Sequence, residues 1–321
     1  MKILGHSKLS VELGFLALLA LLWGSSYFFA KIAVTEIPPF TLVAVRVSGA
    51  AIFLLLVLSW KRERLPRDIK SWRMLLLQSF LNSIAAWTIL AWGQQYVDSS
   101  LASVLNSTSP IFVFFITLLI TRHESVNGMK LFGATLGLFG VIFIVGVDAL
   151  NGLGNGLGNG LGNGLGQEIV GQLCAVGGAV LYGCAAIYGK RFTHLTATVT
   201  AAGTMIWASI VLVPLSLVVD RPWTLDPSLK AIGAMLILSI FCTGIALLIY
   251  FRLVKTLGSL GVASQAYLRA GVGVLLGTLF LGEQISLVVG IGLVAAVLGV
   301  AAINMPGNVE FRKRKVSADL H

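Results

Sequence analysis

The chain reads as an all-α integral membrane protein, ten transmembrane helices in two inverted five-helix repeats, and three observations predict that fold. Of its 321 residues, 57% are apolar and 11% charged, with a mean hydropathy of +0.91. So few charges cannot clothe the surface of a soluble domain of this size. Apolar runs of roughly 20 residues, long enough to cross a hydrocarbon core of about 30 Å, recur along the whole chain. Landmarks of the first half also return 159 positions later. Leu22-Trp23-Gly24 recurs as Leu181-Tyr182-Gly183, Lys31 as Lys190, Ser100 as Ser259, Glu124 as Glu283, Gly133 as Gly292 and Gly140 as Gly299. With five crossings per copy, the second copy must enter the bilayer upside down relative to the first.

The first repeat, 1–149, holds predicted spans 13–32, 40–59, 73–94, 99–121 and 128–147. The second, 168–305, holds 168–188, 198–219, 230–251, 260–281 and 285–304. Lys2 and Lys8 precede the first span as in a signal peptide, but its apolar stretch runs toward Lys31 with no clear small-residue cleavage site. Pro38-Pro39 ends the first hairpin, and Pro222 with Pro227 marks the loop after the seventh span. Gly133 and Gly137 in the fifth span, and Gly273 and Gly277 in the ninth, have the spacing that lets backbones approach closely in lipid. Between the repeats, 150–167 is expected to be a flexible external linker, because Asn-Gly-Leu-Gly occurs four times from Asn151 to Gly166. Its glycines do not match a GxGxxG phosphate loop. Residues 306–321 form a basic tail expected in the cytoplasm.

The net charge of +10 is a matter of placement. With the N-terminus inside, eighteen Lys and Arg residues fall in cytoplasmic segments against Lys31, Arg221 and Lys230 outside. That is the positive-inside bias of a multi-pass protein of the inner (plasma) membrane with both termini cytoplasmic, so the partners expected are the bilayer and a small-molecule solute, with no nucleic acid. Cys174, Cys184 and Cys242 lie in apolar spans as small hydrophobes, without disulfide or metal spacing. The four histidines are scattered, and neither HExxH nor a Walker sequence occurs, so no cofactor, metal or ATP-driven chemistry is expected.

What stands out is polarity at depth. Arg269 falls near the bilayer midplane, where insertion costs about 2.5–3.5 kcal/mol on the lenient scale, so it must face protein or a wet cavity. Gln265, one turn earlier, lies on the same helical face and corresponds in the repeat to Asn106, while Arg269 itself corresponds to Pro110. Trp23, Tyr27 and Lys31 recur at i, i+4 and i+8, which stacks two aromatic rings beneath an outward-facing ammonium. Trp87 lies mid-span in the third helix. Trp23, Tyr27, Trp87, Asn106, Gln265 and Arg269 are therefore the candidate solute-binding residues, with helix packing as the plainer account of each. Arg46, about 9 Å inside the outer end of its span, is close enough to snorkel and is expected to orient or gate. Glu124 and Glu283 each precede a span, where a carboxylate meets a helix macrodipole; capping and gating are both open to them.

Leu22-Trp23-Gly24-Ser25-Ser26-Tyr27, with Lys31, Pro38 and Arg46, resembles the opening of EamA-type members of the drug/metabolite transporter superfamily. Leu281-Gly282-Glu283 with Gly292 and Gly299, and Glu124 with Gly133 and Gly140, resemble the close of that family's repeat unit. The resemblance implies two inverted five-helix repeats around a pathway walled mainly by the first four helices of each. It also implies export or exchange of small metabolites, commonly amino acids, or of amphipathic drugs. Where the second repeat of the family often carries proline, this chain reads Leu268-Arg269-Ala270-Gly271. A secondary transporter of small metabolites working by alternating access is the expected function. Export of amphipathic drugs is the alternative, followed by a membrane enzyme or scaffold.

Overall fold

A computed structural model describes residues 6–116, 118, 128–154, 164–189, 191–192, 194–256, 262 and 265–304. Its helices are α1 (His6–Val34), α2 (Pro39–Trp60), α3 (Ile69–Gly93), α4 (Ser99–Ile116), α5 (Gly128–Gly154), α6 (Gly164–Gly189), α7 (Ala197–Val219), α8 (229–256), α9 (Gln265–Leu281) and α10 (Leu287–Asn304). Among the described residues there is no strand. Seven helices, α1–α4 and α6–α8, are long and apolar enough to cross a membrane. The other three carry shorter apolar stretches, Leu131–Ile144, Leu268–Leu281 and Leu287–Gly299. The outer surface is studded with bare hydrophobes such as Ile52, Leu56, Val218 and Leu279, a lipid-facing and not a water-facing exterior.

Local chemistry sets the helix ends. Pro39 opens α2, where a missing N–H costs nothing. Asp68 accepts from the Ser71 amide at 2.7 Å, Thr196 from Val199 at 3.2 Å and Ser228 from Ala231 at 3.2 Å, so α3, α7 and α8 each start on a side-chain cap. The linker expectation needs correction at its edges: α5 continues to Gly154 and α6 is already helical from Gly164, while 155–163 lies outside the described residues. A helix nucleated by packed apolar residues gains one hydrogen bond per added residue, which carries it into poor helix formers.

α3 and α8 each contain a π turn, Phe80–Ile84 and Ile240–Ile245, at nearly matching places of the two halves. In the second, the Thr243 hydroxyl donates to the Leu238 carbonyl at 2.8 Å. A third irregularity splits α4 at Ser107-Thr108. Pro110 has no N–H to offer the Asn106 carbonyl four residues back, so that acceptor is freed inside the bundle.

Packing follows the repeat. α2 lies on α7, α4 on α9 and α5 on α10, each pair mapping onto itself when the halves are exchanged. The pairs α1 with α9 and α3 with α6 exchange for α6 with α4 and α8 with α1, which are also packed. Small residues permit the tightest crossings. A side chain on Gly299 would run into the backbone of Gly133 and Gly137, and one on Gly24 would strike the Arg269 carbonyl and Val272.

Candidate functional site

Only three charged side chains among the described residues are buried: Glu12, Arg46 and Arg269. Glu12 is ion-paired with Arg252 at 2.9 Å. Neither Arg46 nor Arg269 meets a carboxylate among the described residues, so two guanidiniums sit in the bundle without a counter-anion. A guanidinium at the bilayer midplane costs about 2.5–3.5 kcal/mol on the insertion scale.

Arg269, on α9, donates from Nη2 to the Asn106 carbonyl at 3.0 Å and from Nε to the Ser107 hydroxyl at 3.2 Å. It thus satisfies the acceptor that Pro110 left open. The Asn106 side chain faces the other way, accepting from the Tyr27 hydroxyl at 2.7 Å and donating to the Ala175 carbonyl at 3.4 Å. α1, α4, α6 and α9 are joined by this one network.

Arg46, on α2, does not snorkel. It is 9% exposed, with its guanidinium carbon 4.1 Å from the centre of the Trp87 ring and its Nε donating to the Thr243 hydroxyl at 2.8 Å. The Trp87 indole N–H donates in turn to the Tyr182 hydroxyl on α6. Both guanidiniums lie within electrostatic reach of the Tyr27 and Tyr182 hydroxyls, which places the two networks side by side.

The remaining candidates are dispersed. Trp23 rests on Tyr250 of α8, centroids 5.2 Å apart, packed against the apolar core. Gln265 is buried with its side-chain carbonyl oxygen unpartnered, and no hydrogen bond joins it to its repeat counterpart Asn106. Lys31 turns inward onto carbonyls of the segment between α3 and α4, Gln94 at 3.0 Å and Val97 at 2.6 Å. Glu283 reaches across to the start of α4, accepting from the Ser99 and Ser100 amides at 2.8 and 2.9 Å and from both hydroxyls. Glu124 lies outside the described residues. Sequence reasoning passed over Tyr182, Thr243, Ser107 and Tyr250. The first had a visible signal, since it is the repeat partner of Trp23; the others needed the π turn, the break in α4 and the helix packing.

Ties between the halves stand on both faces of the bundle. On the face of the α1–α2 loop, Glu36 accepts from the Ser228 amide and hydroxyl, Asp220 from the Thr41 amide and hydroxyl, and Glu283 from α4. On the opposite face stand the Glu12–Arg252 pair, Glu63 with Thr196, and Lys61 with Thr198 at 3.1 Å. Hydrogen bonds from the Ser228 amide and hydroxyl hold the Glu36 carboxyl below its ordinary value. Burial raises Glu283, but the bonds from Ser100 and Ser99 outweigh it and leave the carboxyl lowered. Its neighbour Asp98 is raised, first by burial and then by the Glu283 charge.

Residues 11–146 and 169–305 each match the model of the EamA-like transporter family. The chain belongs to that family. The relatives of this EamA-like protein include the transporter YoaV of Bacillus subtilis (strain 168), 26% identical over 95% of this chain and 99% of the relative. The inner membrane transporter YedA of Escherichia coli (strain K12) is 29% identical over 91% and 90%. A solved crystal structure superposes with a TM-score of 0.62 at 19% identity, covering 92% of this chain and 98% of its own, and shares the fold. The EamA-like chain is thus a multi-pass membrane transporter, as its opening motif and paired glycines led one to expect.

Proposed function

We propose that the protein is a secondary transporter of small metabolites bearing a carboxylate, amino acids among the expected classes. It lies in the inner membrane as ten spans in two inverted repeats, both termini cytoplasmic. The halves rock about a site at their interface and expose it to each side in turn. One observation carries this reading: two adjoining buried polar sets between the halves of an EamA-like transporter, Tyr27–Asn106–Arg269 and Arg46–Trp87–Tyr182, holding two positive charges that no carboxylate among the described residues neutralises. Exchange symmetry of the helix pairs supports the inverted repeat, and ties on both faces supply gates that open alternately. Trp23 walls the site and Gln265 offers it a free acceptor. A buried pair of guanidiniums repels lipophilic cations, which weighs against export of cationic drugs.

Thiol labelling of Gln265→Cys in membranes tests the wet central site. A membrane-impermeant reagent is expected to modify it, with protection by transported solute; a thiol inert from both sides refutes the central pathway. Arg269→Gln in proteoliposomes tests the charge. Correctly inserted protein is expected to lose uptake, and wild-type uptake removes Arg269 from the mechanism.

A further inference from the structure

Arg269 spends Nη2 and Nε on the broken α4 helix. Arg46 is the freer of the two charges. Thr243 takes its Nε and Trp87 covers one face of the fork, yet among the described residues no acceptor meets either terminal nitrogen. An arginine has five N–H donors in a planar fork whose Nη edge fits a carboxylate. Here that edge is stacked, pinned at one end and unfilled, on a side chain only 9% exposed.

The same region lacks the opposite provision. An α-ammonium taken out of water needs a carboxylate or several carbonyl oxygens. The sole buried acid among the described residues, Glu12, is committed to Arg252 at the far end of α1, and the Asn106 oxygen is taken by Tyr27. The buried side-chain oxygens left without a partner are the amide oxygens of Gln78 and Gln265 and the hydroxyls of Ser48 and Thr88, with no carboxylate among them. Around the guanidinium stand Trp87 and Tyr182, with Tyr27 within electrostatic reach. Resting on the transporter reading above, and narrowing its carboxylates away from free amino acids, we infer that Arg46 is the solute's anion receptor and that the solute is an organic carboxylate, aromatic or similarly flat, without an ammonium group. Trp87 and Tyr182 take its apolar body. Thr243, reaching Arg46 from the π turn of α8, positions the fork and ties solute binding to the second half.

Three probes of one skeleton separate the charges: 3-phenylpropionate, phenylalanine and phenethylamine. Their binding to the purified full chain in nanodiscs at pH 7.4 is read by calorimetry. 3-Phenylpropionate is expected to bind at least tenfold more tightly than phenylalanine, with phenethylamine not binding. Arg46→Gln and Arg46→Lys are each expected to weaken the anion at least tenfold, since a lysine supplies one point charge and no fork. Thr243→Val, which spares the charge, is expected to cost severalfold and to keep the order of the probes. Melting curves establish that each variant is folded; should Arg46→Gln not fold, Arg46→Lys and Thr243→Val decide. Phenylalanine binding as tightly as the anion, an unchanged affinity in the Arg46 variants, or no binding by any probe overturns the inference. If phenylalanine binds best and is carried into proteoliposomes, the transporter reading stands and the ammonium-free solute falls. If 3-phenylpropionate binds through Arg46 but labelled solute never crosses, the receptor stands and the transporter reading falls.

Discussion

Replacing Pro110 by alanine should make Arg269 less necessary to the fold. In the native chain the Asn106 carbonyl has lost its helical donor to Pro110 and takes Arg269 Nη2 at 3.0 Å instead. Arg269→Leu orphans that buried acceptor at a cost of about 1–3 kcal/mol, whereas the Ser107 hydroxyl keeps its bond to the Ser103 carbonyl at 2.7 Å. Removing a buried guanidinium also relieves its desolvation, so the net effect of the single variant has no fixed sign. A double-mutant cycle cancels that term. With alanine at 110, an amide N–H is available to Asn106, and Arg269→Leu should cost less than in the native background by about 1–2 kcal/mol. The four proteins can be compared by reversible unfolding in mixed micelles. Additivity to within about 0.5 kcal/mol means the arginine and the proline do not share the carbonyl, and the structural account of Arg269 fails.

Other outcomes follow from the same contacts. Glu283→Gln should lose about 1–2 kcal/mol at neutral pH, after allowance for its half-exposed position. Because the Glu283 carboxyl is lowered in the folded protein, its contribution is present above the ordinary value of 4.5 and fades as pH falls below it. Melting temperatures of wild type and variant should therefore run parallel from pH 7 to 5 and converge in acid; a gap that widens in acid contradicts the latch. Gly299→Leu should separate α5 from α10 and cut the yield of folded protein sharply, whereas the same change at Gly290, where a side chain meets open space, should be tolerated. Glu12→Gln with Arg252→Gln should raise thiol labelling from the α2–α3 side, and unaltered labelling would show that this ion pair gates nothing.

Composition and repeat period made the helical membrane fold legible, because length, apolarity and glycine spacing act locally and add along the chain. The site was legible only in part. Tyr27, Asn106 and Arg269 fall together in one network, and Trp87 joins Arg46 instead, as two sets of polar groups with separate anchors. Arg46 was expected to be close enough to snorkel because helical rise reports depth and not direction; the Trp87 face that turns it inward belongs to another helix. Glu283 precedes α10 in sequence, yet the amides it serves are those of α4, which the register of one helix cannot disclose.

Divergence between the two copies separates scaffold from site. Glycine pairs that match across the repeat, Gly133 with Gly292 and Gly140 with Gly299, build the symmetric α5–α10 crossing. Where the copies differ, the polar centre appears. Arg46 stands opposite Met205, Trp87 opposite Ala246, Tyr27 opposite Ala186 and Arg269 opposite Pro110. A rocking mechanism needs the halves to be alike in their packing, so that each gate can close as the other opens. A solute without a twofold axis is met by unlike groups. Restoring symmetry at one such position, by Arg46→Met, should therefore leave the bundle folded, since Met205 is fully buried in the equivalent place, and remove the unfilled donor edge on which the solute is expected to sit. A folded Arg46→Met protein that transports as well as wild type would show that the asymmetry around Trp87 serves packing alone.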